Sequence, residues 1–321
     1  MKLAAIRPMA GVLTRELAIT ALLLLGVSLV VFIILYSSPG DPFSVLLEGQ
    51  QSTMEARAGV REALGAPKSW YGQYLSWLIG MLAGNFGTSI RTGLPVLSEV
   101  LRVGLNTLML TIGSLLVTLL LAVPVALYSA VRGINKFSWL LTMLSYVISA
   151  LPVFWLGYLV IYFFTHKLGL FPLAFGYASA GQEFRWLYQL LPVFVLGLGN
   201  GTVSEVIRFL RQEMSRVMAE DYIRTARAKG ASVWKHAFKE GMLIPVTEII
   251  AAKIPFILGG AVIVEQVFNW PGMGRMAWQA AQDRDYPVIM GIAILAAVLV
   301  RLGSLVQSVV YAAVNPRASK E

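Results

Sequence analysis

Glu265 and Arg301 stand where ionisable side chains are rare. Glu265 lies near one end of the apolar run Ile244–Phe268, and Arg301 lies deep in the run Val288–Val314. Hydrocarbon cannot solvate a charge, so an ionisable group at membrane depth is a functional candidate by default. The two could pair across a helix bundle. A structural ion pair, a snorkelling Arg301 and a part in moving a solute all fit these positions. Lys253 and Glu248 stand toward the other end of Ile244–Phe268 and are expected to reach the interface. Glu205 sits at the edge of another apolar run.

A second concentration of chemistry is the stretch Glu220–Pro245. It carries Arg224, Arg227, Lys229, Lys235 and Lys239 between two apolar runs, so it must leave the bilayer. Its first half reads as a short helix, with Asp221 placed to cap the N-terminus and Gly230 to end it. Tyr222, Ala226 and Gly230 recur at i, i+4 and i+8, which predicts a face that shrinks to bare backbone and admits a close neighbour. Charge alone fits a solvated basic loop equally well.

The other chemistries are missing from the sequence. There are no cysteines, so no disulfide or thiolate metal site forms. The two histidines, His166 and His236, have no ligand-like neighbours and read as surface residues; no metal site is expected. No G-x-x-x-x-G-K-[ST] occurs, so no ATP-binding P-loop is present, and neither H-E-x-x-H nor G-x-S-x-G appears.

The elements that must carry these residues follow from composition. Of 321 residues, 57% are hydrophobic and 13% charged, against about 25% charged in soluble domains. The chain is an all-α polytopic membrane protein. Leu17–Tyr36, Val103–Val131, Phe137–Phe164, Trp186–Phe209, Ile244–Phe268 and Val288–Val314 predict six spans. The first is long enough to cross and is read as an uncleaved span. Between spans one and two lies a polar loop, with short amphipathic helices expected over Met54–Leu64 and Tyr71–Leu82. The expected organisation is 1–102, an N-terminal span and outer loop, and 103–321, a five-helix core containing the loop 209–243. Pro124 and Pro152 should kink their spans. Phe154 and Trp155 beside Pro152 could shape a cavity wall or simply pack outward.

With that topology the basic residues divide 15 to 9 in favour of the side holding both termini and Glu220–Pro245. The positive-inside rule makes that side cytoplasmic. The excess charge faces anionic lipid and argues against nucleic acid as a partner. No convincing repeat relates the two halves, and six spans are few for a lone secondary transporter built of inverted repeats.

Motifs along the chain add a resemblance. Asp221-Tyr-Ile-Arg-Thr-Ala-Arg-Ala-Lys-Gly230-Ala-Ser resembles the cytoplasmic signature of ATP-binding-cassette importer permeases, in the wording of the dipeptide/oligopeptide/nickel branch. Pro39-Gly-Asp-Pro42 after the first span and Gly84-Asn-Phe-Gly-Thr-Ser89 before the second are similar to that branch, with Asn85 where Asp is usual. Ser149-Ala-Leu-Pro-Val-Phe-Trp-Leu-Gly157 is similar as well. So are Trp270-Pro271-Gly272-Met273-Gly274 with Arg284-Asp-Tyr-Pro287, and the Asn315-Pro-Arg317 ending. The segment from Gly230 to Pro245 is shorter than in that branch.

The resemblance implies the type I ABC importer permease fold, with a large periplasmic loop between spans one and two, in a bacterial inner membrane. It makes Asp221, Tyr222, Arg224, Ala226, Arg227 and Gly230 the helix that seats in a separate ATPase subunit. Pro152, Phe154, Trp155, Glu265 and Arg301 become candidates for the pore or gate, and the Trp270–Gly274 loop faces a binding protein or the pore mouth. Implied partners are a second, similar permease, two cytoplasmic ATP-binding subunits holding ATP and Mg, an extracytoplasmic solute-binding protein and membrane lipid. The chain itself would hold no cofactor and catalyse nothing. The expected function is an alternating-access path for a small solute, peptides first. The alternative is a stand-alone secondary transporter or channel. Nothing in the residues separates peptides from nickel chelates, glutathione, opines or polyamines.

Overall fold

A computed structural model describes residues 2–38, 69–132, 135–169, 185–199, 201–232, 237 and 239–314. The expected Met54–Leu64 helix, Pro39–Pro42, most of the loop before Arg185, residues 233–236 and 238, and the Asn315–Arg317 ending lie outside the described residues. Among the described residues the regular elements are helices joined by turns, and an isolated antiparallel bridge pairs Thr88 with Pro95.

In chain order the helices are α1 (Lys2–Ser37), α2 (Trp70–Leu82), α3 (Val96–Arg132), α4 (Lys136–Ser149), α5 (Val153–Ile161), α6 (Arg185–Leu198), α7 (Thr202–Met218), α8 (Asp221–Ala228), α9 (Ile244–Val267), α10 (Met273–Gln282) and α11 (Tyr286–Val314). Wider π turns extend α5 over Tyr162–Lys167 and precede α9 over Lys239–Leu243. Arg15–Ser37, Val96–Ala130 and Tyr286–Leu305 are each long and apolar enough to cross a bilayer. Two bent pairs, Lys136–Ser149 with Val153–Lys167 and Gln189–Leu198 with Thr202–Met218, raise the number to as many as five. The first pair turns by 97° and the second by 52°.

The first bend exceeds the kink expected at Pro152. Leu151 and Pro152 leave the helix altogether, and the chain restarts with Pro152 as the N-cap of α5. Proline has no N–H to continue the α4 ladder and disfavours helix in the residue before it, so the span breaks rather than bends. The other proline expected to kink, Pro124, lies inside α3, which continues through it to Arg132.

The chain forms two compact units. One comprises residues 1–14, 107–270 and 300–321; the other comprises 15–106 and 271–299. The larger unit has two buried clusters. One gathers Leu110, Leu115, Val195, Leu196, Val264 and Phe268, and the other gathers Ala126, Val206, Leu210, Met214, Ile223 and Ile249. Lipid tails are as apolar as leucine, so packing and interhelical hydrogen bonds hold such helices together. α3 and α6 show how close they come. A Cβ on Gly197 would stand 2.7 Å from the Ser114 carbonyl oxygen, and the Thr118 hydroxyl donates to the Gly197 carbonyl at 2.7 Å. A hydrogen bond of this kind contributes roughly 0.6 kcal/mol within a membrane.

The smaller unit packs α2 on α1. Ser69 caps α2 by accepting from the Gly72 N–H. The Ser28 and Tyr74 hydroxyls share a hydrogen bond at 2.9 Å, and the Phe32 and Tyr74 rings lie 5.4 Å apart.

Candidate functional site

The basic stretch builds its short helix as expected, with one change at each face. Glu220, not Asp221, is the N-cap residue, and its side chain makes no capping bond. Asp221 is the first helical residue, and its carboxylate pairs with Arg224 at 3.2 Å in full solvent. A carboxylate in the first turn still opposes the helix dipole's positive end. At the other end Gly230 has φ of +67°, with its N–H donating to Arg227 and the Ala231 N–H donating to Ala226. That is a Schellman closure, the conformation glycine adopts without penalty.

Ala226 departs from the open face expected of it. It is 5% exposed and Ile223 is fully buried, so the i, i+3 stripe of α8 packs into this chain. The outward surface includes Asp221, Tyr222, Arg224, Arg227, Ala228, Lys229 and Gly230. A helix of eight residues cannot hold itself in water, so the Ile223–Ala226 anchor is what presents this charged surface.

The pore candidates differ in their surroundings. Glu265 is fully buried on α9 and accepts a hydrogen bond from the Thr107 hydroxyl of α3 at 2.6 Å. Arg301 is partly buried on α11. Phe154 and Trp155 are each about half exposed at the start of α5, and neither lines the cavity described below. Val153 and Gly157, on the opposite side of the same turns, are the buried ones.

The Trp270–Gly274 wording is not a free loop. Trp270 is buried, and its backbone N–H donates to the Glu265 backbone carbonyl at 2.8 Å. Gly272 is the N-cap residue of α10, and Met273 and Gly274 are buried in its first turn. The Pro271 carbonyl accepts from the Asn106 side chain at 2.8 Å.

Two motifs that are far apart in sequence meet in the smaller unit. Asp285 of Arg284-Asp-Tyr-Pro287 is 2% exposed. One of its carboxylate oxygens accepts from the Ser89 hydroxyl at 2.5 Å and the Arg91 N–H at 3.3 Å, and the other accepts from the Val288 N–H at the start of α11. Arg91 pairs with Asp283 at 2.7 Å beside it. Asn85, standing where Asp is usual, accepts from the Gly87 N–H and so makes the turn itself.

Lys253 and Glu248 line one cavity. Lys253 forms an ion pair with Glu205 of α7, its side chain is 12% exposed, and both line a cavity of about 710 Å³ with Arg208, Glu248 and Ser304. Sequence reading placed Glu205 and Lys253 in different spans without joining them. The usable signal was charge within apolar runs on two helices.

Residues 122–320 match the binding-protein-dependent transport system inner membrane component, and residues 9–122 match the N-terminal membrane component of the same systems. The chain belongs to this family. It is a multi-pass membrane protein and the permease subunit of an ATP-driven ABC importer, and the stand-alone transporter reading is not favoured. The family is a transport component and not an ATPase.

Relatives align over nearly the whole chain. The oligopeptide transport system permease protein AppB of Bacillus subtilis is 38% identical, covering 96% of this chain and 99% of its own length. The glutathione transport system permease protein GsiC of Salmonella typhimurium is 36% identical over 95% and 97%. The dipeptide transport system permease protein DppB of Alkalihalophilus pseudofirmus is 31% identical over 94% and 97%.

Proposed function

We propose that this permease carries peptides, working as one of two similar permease subunits above two ATP-binding subunits and beneath a solute-binding protein. The supporting observation is end-to-end similarity to relatives named for oligopeptides, dipeptides and glutathione. These solutes share amide-linked backbones with terminal or side-chain ammonium and carboxylate groups. The chain has six spans with both termini cytoplasmic, residues 1–102 forming the first span and periplasmic loop and 103–321 the core. ATP and Mg are held by the partner subunits.

In the mechanism we propose, α8 is the coupling helix. The outward surface Asp221, Tyr222, Arg224, Arg227 and Gly230 seats against an ATPase subunit, while Ile223 and Ala226 fix the helix to α7 and its neighbours. When the ATPases close, α8 moves with them and carries the larger unit's helices, which opens the path outward. Hydrolysis and release reverse the motion. The buried Glu265–Thr107 contact is a packed joint near one end of α9, with Arg301 on α11 as a further gate candidate. The exposed side of α10, which includes Trp278, faces the binding protein.

Uptake by the reconstituted four-subunit assembly with its binding protein tests this reading. Unlabelled dipeptides and oligopeptides are expected to compete with a labelled dipeptide. Competition by nickel chelates alone would move the cargo to metal.

A further inference from the structure

The cavity between α7 and α9 contains charges that the proposed coupling scheme does not use. Lys253 lies nine residues into α9 from Ile244, roughly 13 Å along the axis at 1.5 Å per residue. That is well inside a helix of 24 residues. Its ammonium pairs with the Glu205 carboxylate from the first turn of α7, yet the two ends are not equally enclosed. The Lys253 side chain is 12% exposed and the Glu205 side chain 51%. Arg208 and Glu248 line the same cavity of about 710 Å³, so acid and base are both represented twice. Ionisable residues within spans face water-filled cavities or one another, and here they do both.

An ion pair enclosed on both partners admits no incoming charge, and its desolvation penalty can exceed its attraction. This one opens on its acidic side into a space large enough for a small peptide. Resting on the peptide reading above, we infer that the cavity is a wall of the solute path and that Glu205 and Lys253 form a charge station for a zwitterion. With no solute present the two neutralise each other. An arriving peptide supplies an ammonium to Glu205 and a carboxylate to Lys253, so each charge keeps a partner while the solute is at membrane depth. The exchange of partners limits the desolvation penalty that would otherwise bar a zwitterion from this depth.

The chain has no cysteine, so Ser304→Cys gives it a single thiol on the cavity wall. The test uses the whole assembly, with cysteine-free partner subunits, binding protein and ATP, and labels Ser304→Cys with a hydrophilic maleimide. A labelled dipeptide serves as the transport probe. Labelling is expected to proceed and to slow severalfold when dipeptide is saturating. That protection should vanish in the Lys253→Met and Glu205→Gln backgrounds and survive in Lys253→Arg. Dipeptide uptake should fall about tenfold in the two neutral variants, a size typical of losing one partner of a desolvated charge pair. Glu213→Gln, which breaks an exposed pair with Arg216 on the same helix, should leave uptake unchanged.

No labelling, labelling that dipeptide does not slow, or protection that persists in Lys253→Met would each overturn the station. Uptake unchanged in both neutral variants would do the same while leaving the peptide reading intact. A wild-type assembly that imports no dipeptide would overturn the peptide reading and the station with it.

Discussion

The short helix α8 and the hydrogen-bonded knot around Asp285 both coincide with family-like wording, yet they use it in opposite ways. In α8 most of the matched residues are exposed, and two, Ile223 and Ala226, are spent on anchoring. In the knot the matched residues point inward: Ser89 is 4% exposed and Asp285 2% exposed, and together they tie a turn to the start of α11. The difference lies in where charge is satisfied. Asp285 has three protein donors, whereas the Asp221–Arg224 pair stands in water, where such pairs contribute little. A charged surface that the chain does not use itself is available to a partner; a fully bonded carboxylate is architecture.

Perturbing the knot should give the largest effect. Asp285→Ala strips Ser89, the Arg91 N–H and the Val288 N–H of their shared acceptor. Bonds to a charged group contribute about 1.5–3 kcal/mol each before relaxation, so a loss of about 3 kcal/mol in stability is expected. Thermal unfolding of the purified subunit reads it. An unchanged midpoint would make the knot a surface feature like α8. Asp285→Asn, which keeps an acceptor, should recover part of the loss.

Ala226→Asp should come next. It places a carboxylate where Ala226 is packed within this chain, at a cost of about 1–3 kcal/mol or more. The effect is local: α8 should detach while the spans remain. Co-purification of the ATPase subunit and uptake should both drop about tenfold, and insertion in the membrane should not. Full ATPase binding with full uptake would mean that α8 needs no anchor.

Gly230→Val should be milder. At φ +67° a branched side chain is strained by roughly 1–2 kcal/mol, although open space surrounds the position. Uptake should fall severalfold, and Gly230→Asn, which tolerates this conformation better, should restore much of it. Arg224→Ala should be smallest in stability, below about 0.5 kcal/mol, because its pair is exposed. If it nevertheless weakens ATPase co-purification, Arg224 meets an acid on the ATPase, and the contrast with Asp285 sharpens.

Sequence reading carried some of these elements well. Glu220–Gly230 resolved into a helix with its stop at Gly230 because charge, alanines and glycine agree locally. Trp70–Leu82 differs from the expected Tyr71–Leu82 by one residue, since Ser69 is a strong cap. Helix α10 went unseen because Pro271, Gly272 and Gly274 read as turn chemistry, whereas Gly272 is the N-cap and the apolar spacing that follows is helical. Pro152 announced a kink but not a 97° break, which depends on how Val153 and Gly157 pack after the restart. Ala226 showed its size but not which neighbour used it. The Ser89–Asp285 and Glu205–Lys253 contacts join residues 196 and 48 positions apart, and no local pattern encodes such pairings.

The most direct test of the account is a cross-link from the outward surface of α8. Ala228 is exposed and the chain has no cysteine, so Ala228→Cys provides one thiol at that surface. In membranes containing the whole transporter, a short thiol–amine cross-linker should join this chain to an ATPase subunit, with a yield that changes when ATP is trapped. A cross-link formed only to lipid or to the other permease, with the ATPases present and active, would contradict α8 as the coupling helix.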